Sequence, residues 1–128
     1  MTSVVLDASA VMAMLNREPG ADQLTPDLLV NSVSSTVNLA EVQGKLVERG
    51  IPPASAWAAT LSSVNKAIVF TEEQARMAGT LIAETRPFGL SLGDRACLAL
   101  ALELKAPVYT ADREWKHLKL GLRIHLIR

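Results

Sequence analysis

An α/β sandwich with a mainly parallel central sheet is the fold class this sequence predicts, and three observations predict it. Short β-rich runs alternate along the chain with longer helix-like stretches. Two of those runs, Val4 to Leu6 and Val108 to Thr110, lead at once or within two residues into an aspartate, Asp7 and Asp112. Between them, Ala96 to Leu102 is apolar on nearly every side, as in a helix packed deep in a domain. Open parallel sheets bind ligands at the carboxyl ends of their strands, so both aspartates fall where such a fold places its chemistry.

In chain order, Val4 to Leu6 reads as the first strand, and a helix follows through Ala10 to Leu15 until Asn16, Pro19 and Gly20 break it. Ser9 is expected to cap that helix rather than to bond whatever Asp7 holds. Leu28 to Val33 reads as the second strand. Ser34, Ser35 and Thr36 open a helix that ends at Gly50. Its apolar arc is Val37, Leu39, Ala40, Val42, Leu46 and Val47, so periodicity turns Glu41 away from the core with Lys45 and Glu48. By spacing alone Glu41 is an exposed residue paired with Lys45 at i+4. Pro52 and Pro53 start a helix through Val64. Lys66 to Phe70 resembles a strand, and Thr71 with Gln74 forms a capping box for a helix reaching Thr85.

The apolar helix runs from Leu92 to Lys105, started by Ser91 with Asp94 three residues on and ended by Pro107. Asp94 shares a face with Cys97, Leu98 and Ala101, where a hydrophobe is expected. Capping accounts for an acid in a first turn. A helix that leads into a parallel strand, however, runs antiparallel to it, which brings Asp94 to the same sheet edge as Asp112. Beyond Asp112 a helical turn around Trp115 precedes a last strand, Leu122 to Ile127. His117 and His125 have no ligand-like spacing and read as surface or packing residues.

At 128 residues and 49% hydrophobic composition, one domain spanning 1–128 is expected. The single cysteine, Cys97, makes no internal disulfide, which fits a reducing cytoplasm. No signal peptide or membrane span is visible, because the early apolar run Ala10 to Leu15 is too short. Val11, Met12, Met14 and Leu15, with Trp57, offer apolar area for a partner. Net charge is zero but uneven: residues 1–85 hold 5 Lys and Arg against 9 Asp and Glu, and residues 86–128 hold 8 against 4. Arg113, Lys116, Lys119, Arg123 and Arg128 could line a groove for a phosphate backbone.

Four carboxylates without histidine or cysteine suit hard divalent cations, since Mg²⁺ and Mn²⁺ prefer oxygen ligands and are commonly held by a few carboxylates with phosphate oxygens. The reaction that fits is metal-assisted hydrolysis of a phosphodiester.

VVLDASAV with Asp7, NLAEV with Glu41, GLSLGDRACLALA with Asp94 and VYTADREW with Asp112 resemble the acidic signature of PIN-domain ribonucleases, particularly VapC toxins of toxin–antitoxin pairs. The likeness spans the chain in order and length, with LSLGDRACLALA and TADREW as its most specific segments. It implies a PIN-like α/β/α sandwich and a Mg²⁺- or Mn²⁺-dependent endoribonuclease that cuts structured RNA such as transfer or ribosomal RNA. It also implies a homodimer, silenced by a VapB-type antitoxin. Carried over, Asp7, Glu41, Asp94 and Asp112 are the catalytic, metal-site acids, which overrides the default for Glu41. Thr110 matches a hydroxyl position that the family often has beside the last acid. Residues 17–31 match no motif.

Three other readings compete. A phosphoacceptor receiver domain needs an acidic pair after its first strand, where Asp7 stands alone. A haloacid-dehalogenase-type phosphatase needs an aspartate two residues after the first, where this chain has Ser9. A non-catalytic PIN-like module that binds RNA or protein keeps the fold without the chemistry.

Overall fold

Runs of only three or four residues form strands here because each is clamped by its neighbours in the sheet. The computed structural model describes residues 2–128. Its strands are β1 (Val4–Leu6), β2 (Ser32–Ser35), β3 (Lys66–Ile68), β4 (Val108–Thr110) and β5 (Ile124–Leu126). They form one sheet of order β3-β2-β1-β4-β5 in which every pairing is parallel. The helices are α1 (Ala8–Asn16), α2 (Pro26–Leu29), α3 (Thr36–Glu48), α4 (Pro53–Ser62), α5 (Glu72–Thr80), α6 (Ile82–Thr85) and α7 (Leu92–Leu104). The predicted α/β sandwich is thus observed, with a sheet that is parallel throughout.

Alternation along the central strand builds the two faces. Leu6 packs with α1, α3 and α4 residues such as Val11, Leu39, Val42 and Ala56. Val5, pointing the other way, packs with Val33, Val108, Trp115 and the α7 residues Cys97, Leu98, Leu100 and Ala101. Burying both faces explains why β1 reads as a continuous apolar run. Helix α7 is as deeply buried as its composition predicts. No helix among the described residues is long and apolar enough to cross a membrane.

The second strand falls later than expected. Thr25 accepts the Leu28 amide and Pro26 occupies the first helical position, so Pro26–Leu29 becomes the short helix α2. The strand is instead SVSS, wholly buried. Its serines survive there because their hydroxyls bond backbone: Ser32 to the Leu29 carbonyl at 2.7 Å and Ser34 to the Leu6 carbonyl at 2.8 Å. The capping box at Thr71 is half realised: Thr71 accepts the Gln74 amide, but the Gln74 side chain donates to Glu103 across the α5–α7 contact. The helix predicted to reach Thr85 is divided into α5 and α6 at Leu81.

The proposed apolar partner surface is largely core. Val11 and Met12 are buried, and Met14, Leu15 and Trp57 are partly buried against the same cluster. The basic segment is not one groove either. Arg123 precedes β5 and so lies at the amino edge of the sheet, where it lines a cavity of about 240 Å³ with Lys105. Arg113 and Arg128 flank the opposite edge, and Arg128 is already paired with Glu18 at 3.0 Å.

Candidate active site

The chain moves outward from β1 to β2 to β3, then returns to the other side of β1 for β4. That reversal opens a crevice between the carboxyl ends of β1 and β4, the usual ligand site of an open parallel sheet. Asp7 follows β1 directly. It occupies the N-cap position of α1 with an extended backbone, yet its carboxylate makes no capping bond. Its side chain is buried, with 3% exposure, and turns into the crevice.

Two hydroxyls hold it there. Ser9 donates to Asp7 Oδ2 at 2.7 Å, and Thr110, on β4, donates to the same oxygen at 2.9 Å. Ser9 also accepts the Ala111 amide, and Thr110 accepts the Asp112 amide. Ser9 is therefore not a helix cap, contrary to the sequence expectation; the strand β4 that it bonds arrives 101 residues later. Burial pushes the Asp7 carboxyl up to about 6. The Ser9 bond pulls it down, the charge of Asp94 raises it, and the Thr110 bond lowers it again.

Asp94 sits in the first turn of α7 in a complete capping box: its Oδ2 accepts the Ser91 amide at 3.0 Å while Ser91 Oγ accepts the Asp94 amide at 3.1 Å. The capping reading of Asp94 is thus observed, and the charge of the same group reaches Asp7. Glu41 extends from α3 toward the same helix end. Its Oε1 accepts the Asn38 side-chain amide at 3.1 Å, and it lies against Gly93, where an added Cβ would run into its carboxylate. The ion pair with Lys45 that spacing suggested is not among the salt bridges of the described residues.

Below these groups lies Cys97, fully buried, its thiol pushed up by burial and then by the charges of Asp7, Asp94 and Glu41. All three acids lie within electrostatic reach of this one thiol, and the cysteine stays a protonated packing residue. Asp112 stands apart. Its Oδ1 accepts the Glu114 amide and caps the 3₁₀ turn Arg113–His117, while its own amide ties it to Thr110 and so indirectly to Asp7. His117 stacks on Phe88 and His125 on Tyr109, so both histidines pack as expected.

Among the described residues, no three His, Cys, Asp or Glu side chains are drawn together closely enough to hold a metal ion between them. Mg²⁺ does not require such a cage, since one or two carboxylates, waters and substrate phosphates commonly suffice. The donor set fits that cation on two grounds. All four groups offer oxygen, and the buried Asp7 faces another acid rather than a basic partner, a repulsion that a cation relieves. Asn38 was missed by the sequence reading, because an asparagine one turn before Glu41 carries no pattern of its own. Gly93 was missed likewise.

The fold recurs at full length in solved toxin structures. A toxin–antitoxin complex from Klebsiella pneumoniae aligns over 98% of each chain with a TM-score of 0.77 and 17% identity. DNA-bound VapBC from Salmonella typhimurium aligns over 100% of each chain with a TM-score of 0.76 and 18% identity. VapC20 from Mycobacterium tuberculosis, a sarcin–ricin loop cleaving toxin, covers 94% of this chain and 99% of its own, with a TM-score of 0.73 and 22% identity. No significant match emerges among curated proteins. The PIN domain matches residues 4–120, nearly the whole span from β1 to the turn before β5, and the chain belongs to the PIN-domain family, a family of nucleases.

Proposed function

We propose that the chain acts as one PIN-like domain over residues 1–128 and is a VapC-type toxin: a Mg²⁺- or Mn²⁺-dependent endoribonuclease of the cytoplasm that hydrolyses phosphodiester bonds in structured RNA, transfer or ribosomal. The observation that carries this reading is Asp7, a buried carboxylate at the switch point of the sheet, oriented by two hydroxyls and faced by Asp94. Full-length likeness to chains solved in toxin–antitoxin complexes supports a VapB-type partner, and a homodimeric state is part of the same proposal.

Asp7, Glu41, Asp94 and Asp112 are the residues assigned to hold the cation. When bound, Mg²⁺ or Mn²⁺ supplies Lewis-acid polarisation of the phosphodiester and eases deprotonation of the attacking water. The protein's own contribution is orientation. Ser9 and Thr110 fix Asp7 Oδ2 by donating to it, which stabilises its ionised form against burial. The Ser91 amide fixes Asp94 Oδ2, and the Glu114 amide fixes Asp112 Oδ1, so neither carboxylate rotates freely. Carboxylates held this way lose little side-chain freedom when they take up a ligand.

Purified protein incubated with transfer and ribosomal RNA should cleave with Mg²⁺ or Mn²⁺ and stop when EDTA is in excess. Cleavage that persists in excess EDTA would sink the metal-dependent assignment. RNA binding without cleavage under any divalent cation would return the protein to the non-catalytic reading.

A further inference from the structure

Asn38 lies one helical turn before Glu41 on α3 and is completely buried. Its amide nitrogen has two hydrogens, and each has a partner: Glu41 Oε1 at 3.1 Å and the Gly93 carbonyl of α7 at 2.9 Å. The amide oxygen, Oδ1, is buried with no partner among the described residues. Turning the amide over would set that oxygen against a carbonyl and a carboxylate, both acceptors, so the neighbours dictate its orientation. An unpaired buried acceptor weakens a fold, and a small apolar side chain here would avoid it. What Asn38 provides in return is a pair of donors aimed at two oxygens on two different helices.

Gly93 completes the arrangement. It is buried in the first turn of α7, and only the lack of a Cβ lets the Glu41 carboxylate rest there. Helical periodicity alone would leave the carboxylate of the exposed Glu41 free beside Lys45. The tether at Asn38 and the gap at Gly93 instead draw it to the amino end of α7, next to Asp94 and above Cys97.

We propose that Asn38 is a positioning residue: by bridging Glu41 to the Gly93 carbonyl it sets the Glu41 carboxylate beside Asp94 in the cation-binding group. This rests on the metal-dependent reading above. Asn38 itself touches neither cation nor substrate and acts through Glu41.

The test is a double-mutant cycle read by Mn²⁺ affinity, measured by calorimetry on the full-length protein, with metal-free thermal unfolding run in parallel. Asn38→Ala should weaken Mn²⁺ about 10-fold, the usual scale for losing a partner that orients a ligand. In a Glu41→Ala background the same change should shift affinity less than about 2-fold, because nothing remains to be positioned. Gly93→Ala, which pushes Glu41 aside without emptying the Asn38 site, should show the same dependence on Glu41. Should Asn38→Ala fail to fold, Asn38→Thr takes its place, since its hydroxyl satisfies itself on the preceding turn. Wild-type affinity in the Asn38 variant, or an equal loss on both backgrounds, overturns the proposal. A wild-type protein that binds no Mn²⁺ overturns the metal-dependent reading itself, before any variant is compared.

Discussion

The hydroxyls of Ser9 and Thr110 lie 3.1 Å apart and converge on one oxygen of Asp7, at 2.7 and 2.9 Å. Each hydroxyl has a single hydrogen, and each directs it to the carboxylate. The pair joins the start of α1 to the end of β4 through the acid that both serve.

Removing one member should therefore be felt at Asp7. Ser9→Ala deletes a bond that lowers the Asp7 carboxyl and leaves the Ala111 amide without its acceptor. The Asp7 titration midpoint should rise above that of wild type, and stability should fall by about 1–2 kcal/mol. Carbon-detected NMR titration and urea unfolding measure the two effects. A midpoint that stays put or falls contradicts the assigned role.

Asp7 also predicts how the metal-free fold responds to pH. Its folded-state carboxyl is raised from 3.8 to about 6, so between those values the folded protein holds the proton that the unfolded chain has released. Stability from this group is therefore fullest below about pH 4, declines by about 1.4 kcal/mol per pH unit toward pH 6, and is flat above. The whole interval amounts to a loss on the order of 3 kcal/mol. Denaturant melts of wild type and Asp7→Asn across this range isolate the effect: the difference between the two curves should slope between pH 4 and 6. Parallel curves count against a buried, proton-holding Asp7.

Asp94→Asn separates the cap from the cation site. Asparagine keeps an acceptor for the Ser91 amide, so the start of α7 should hold. It also removes the charge that raises Asp7. The variant should be inactive, at least as heat-stable as wild type without metal, and less stabilised by added Mg²⁺, because ligand-linked stabilisation follows affinity. Paired melting curves and an RNase assay decide it. Retained activity with an unchanged Mg²⁺ shift would falsify the ligand assignment and leave Asp94 a cap alone.

Gly20 holds the carboxyl edge from the other side. Its φ is +92°, and a Cβ there would run into the Ile127 main chain just after β5. Backbone does not yield as a side-chain tip does, so Gly20→Ala should lose on the order of 2–3 kcal/mol in urea unfolding. Arg128, which donates to Glu18 and to the Pro19 carbonyl, anchors the same corner. A neutral Gly20→Ala would show that this corner gives way freely.

What the sequence by itself determined was whatever depends on neighbours in the chain. The run Val4 to Leu6, the apolar length of α7, Ser91 with Asp94, and Val108 to Thr110 before Asp112 are local patterns, and local patterns set element type and sheet edge. The acids at those edges were legible for the same reason. Tertiary structure alone decided the rest, because it rests on partners distant in the chain. The burial of SVSS as β2 depends on carbonyls of Leu6 and Leu29 that accept its hydroxyls. Ser9 turned from cap to carboxylate partner because β4 docks beside β1. Glu41 stays exposed, as periodicity has it, but its carboxylate is drawn against α7 because Asn38 bonds both it and the Gly93 carbonyl, 55 residues away, and because Gly93 has no side chain to refuse it. A hydrogen bond between distant residues leaves no period in the chain, so only the packed fold could show which groups hold each carboxylate.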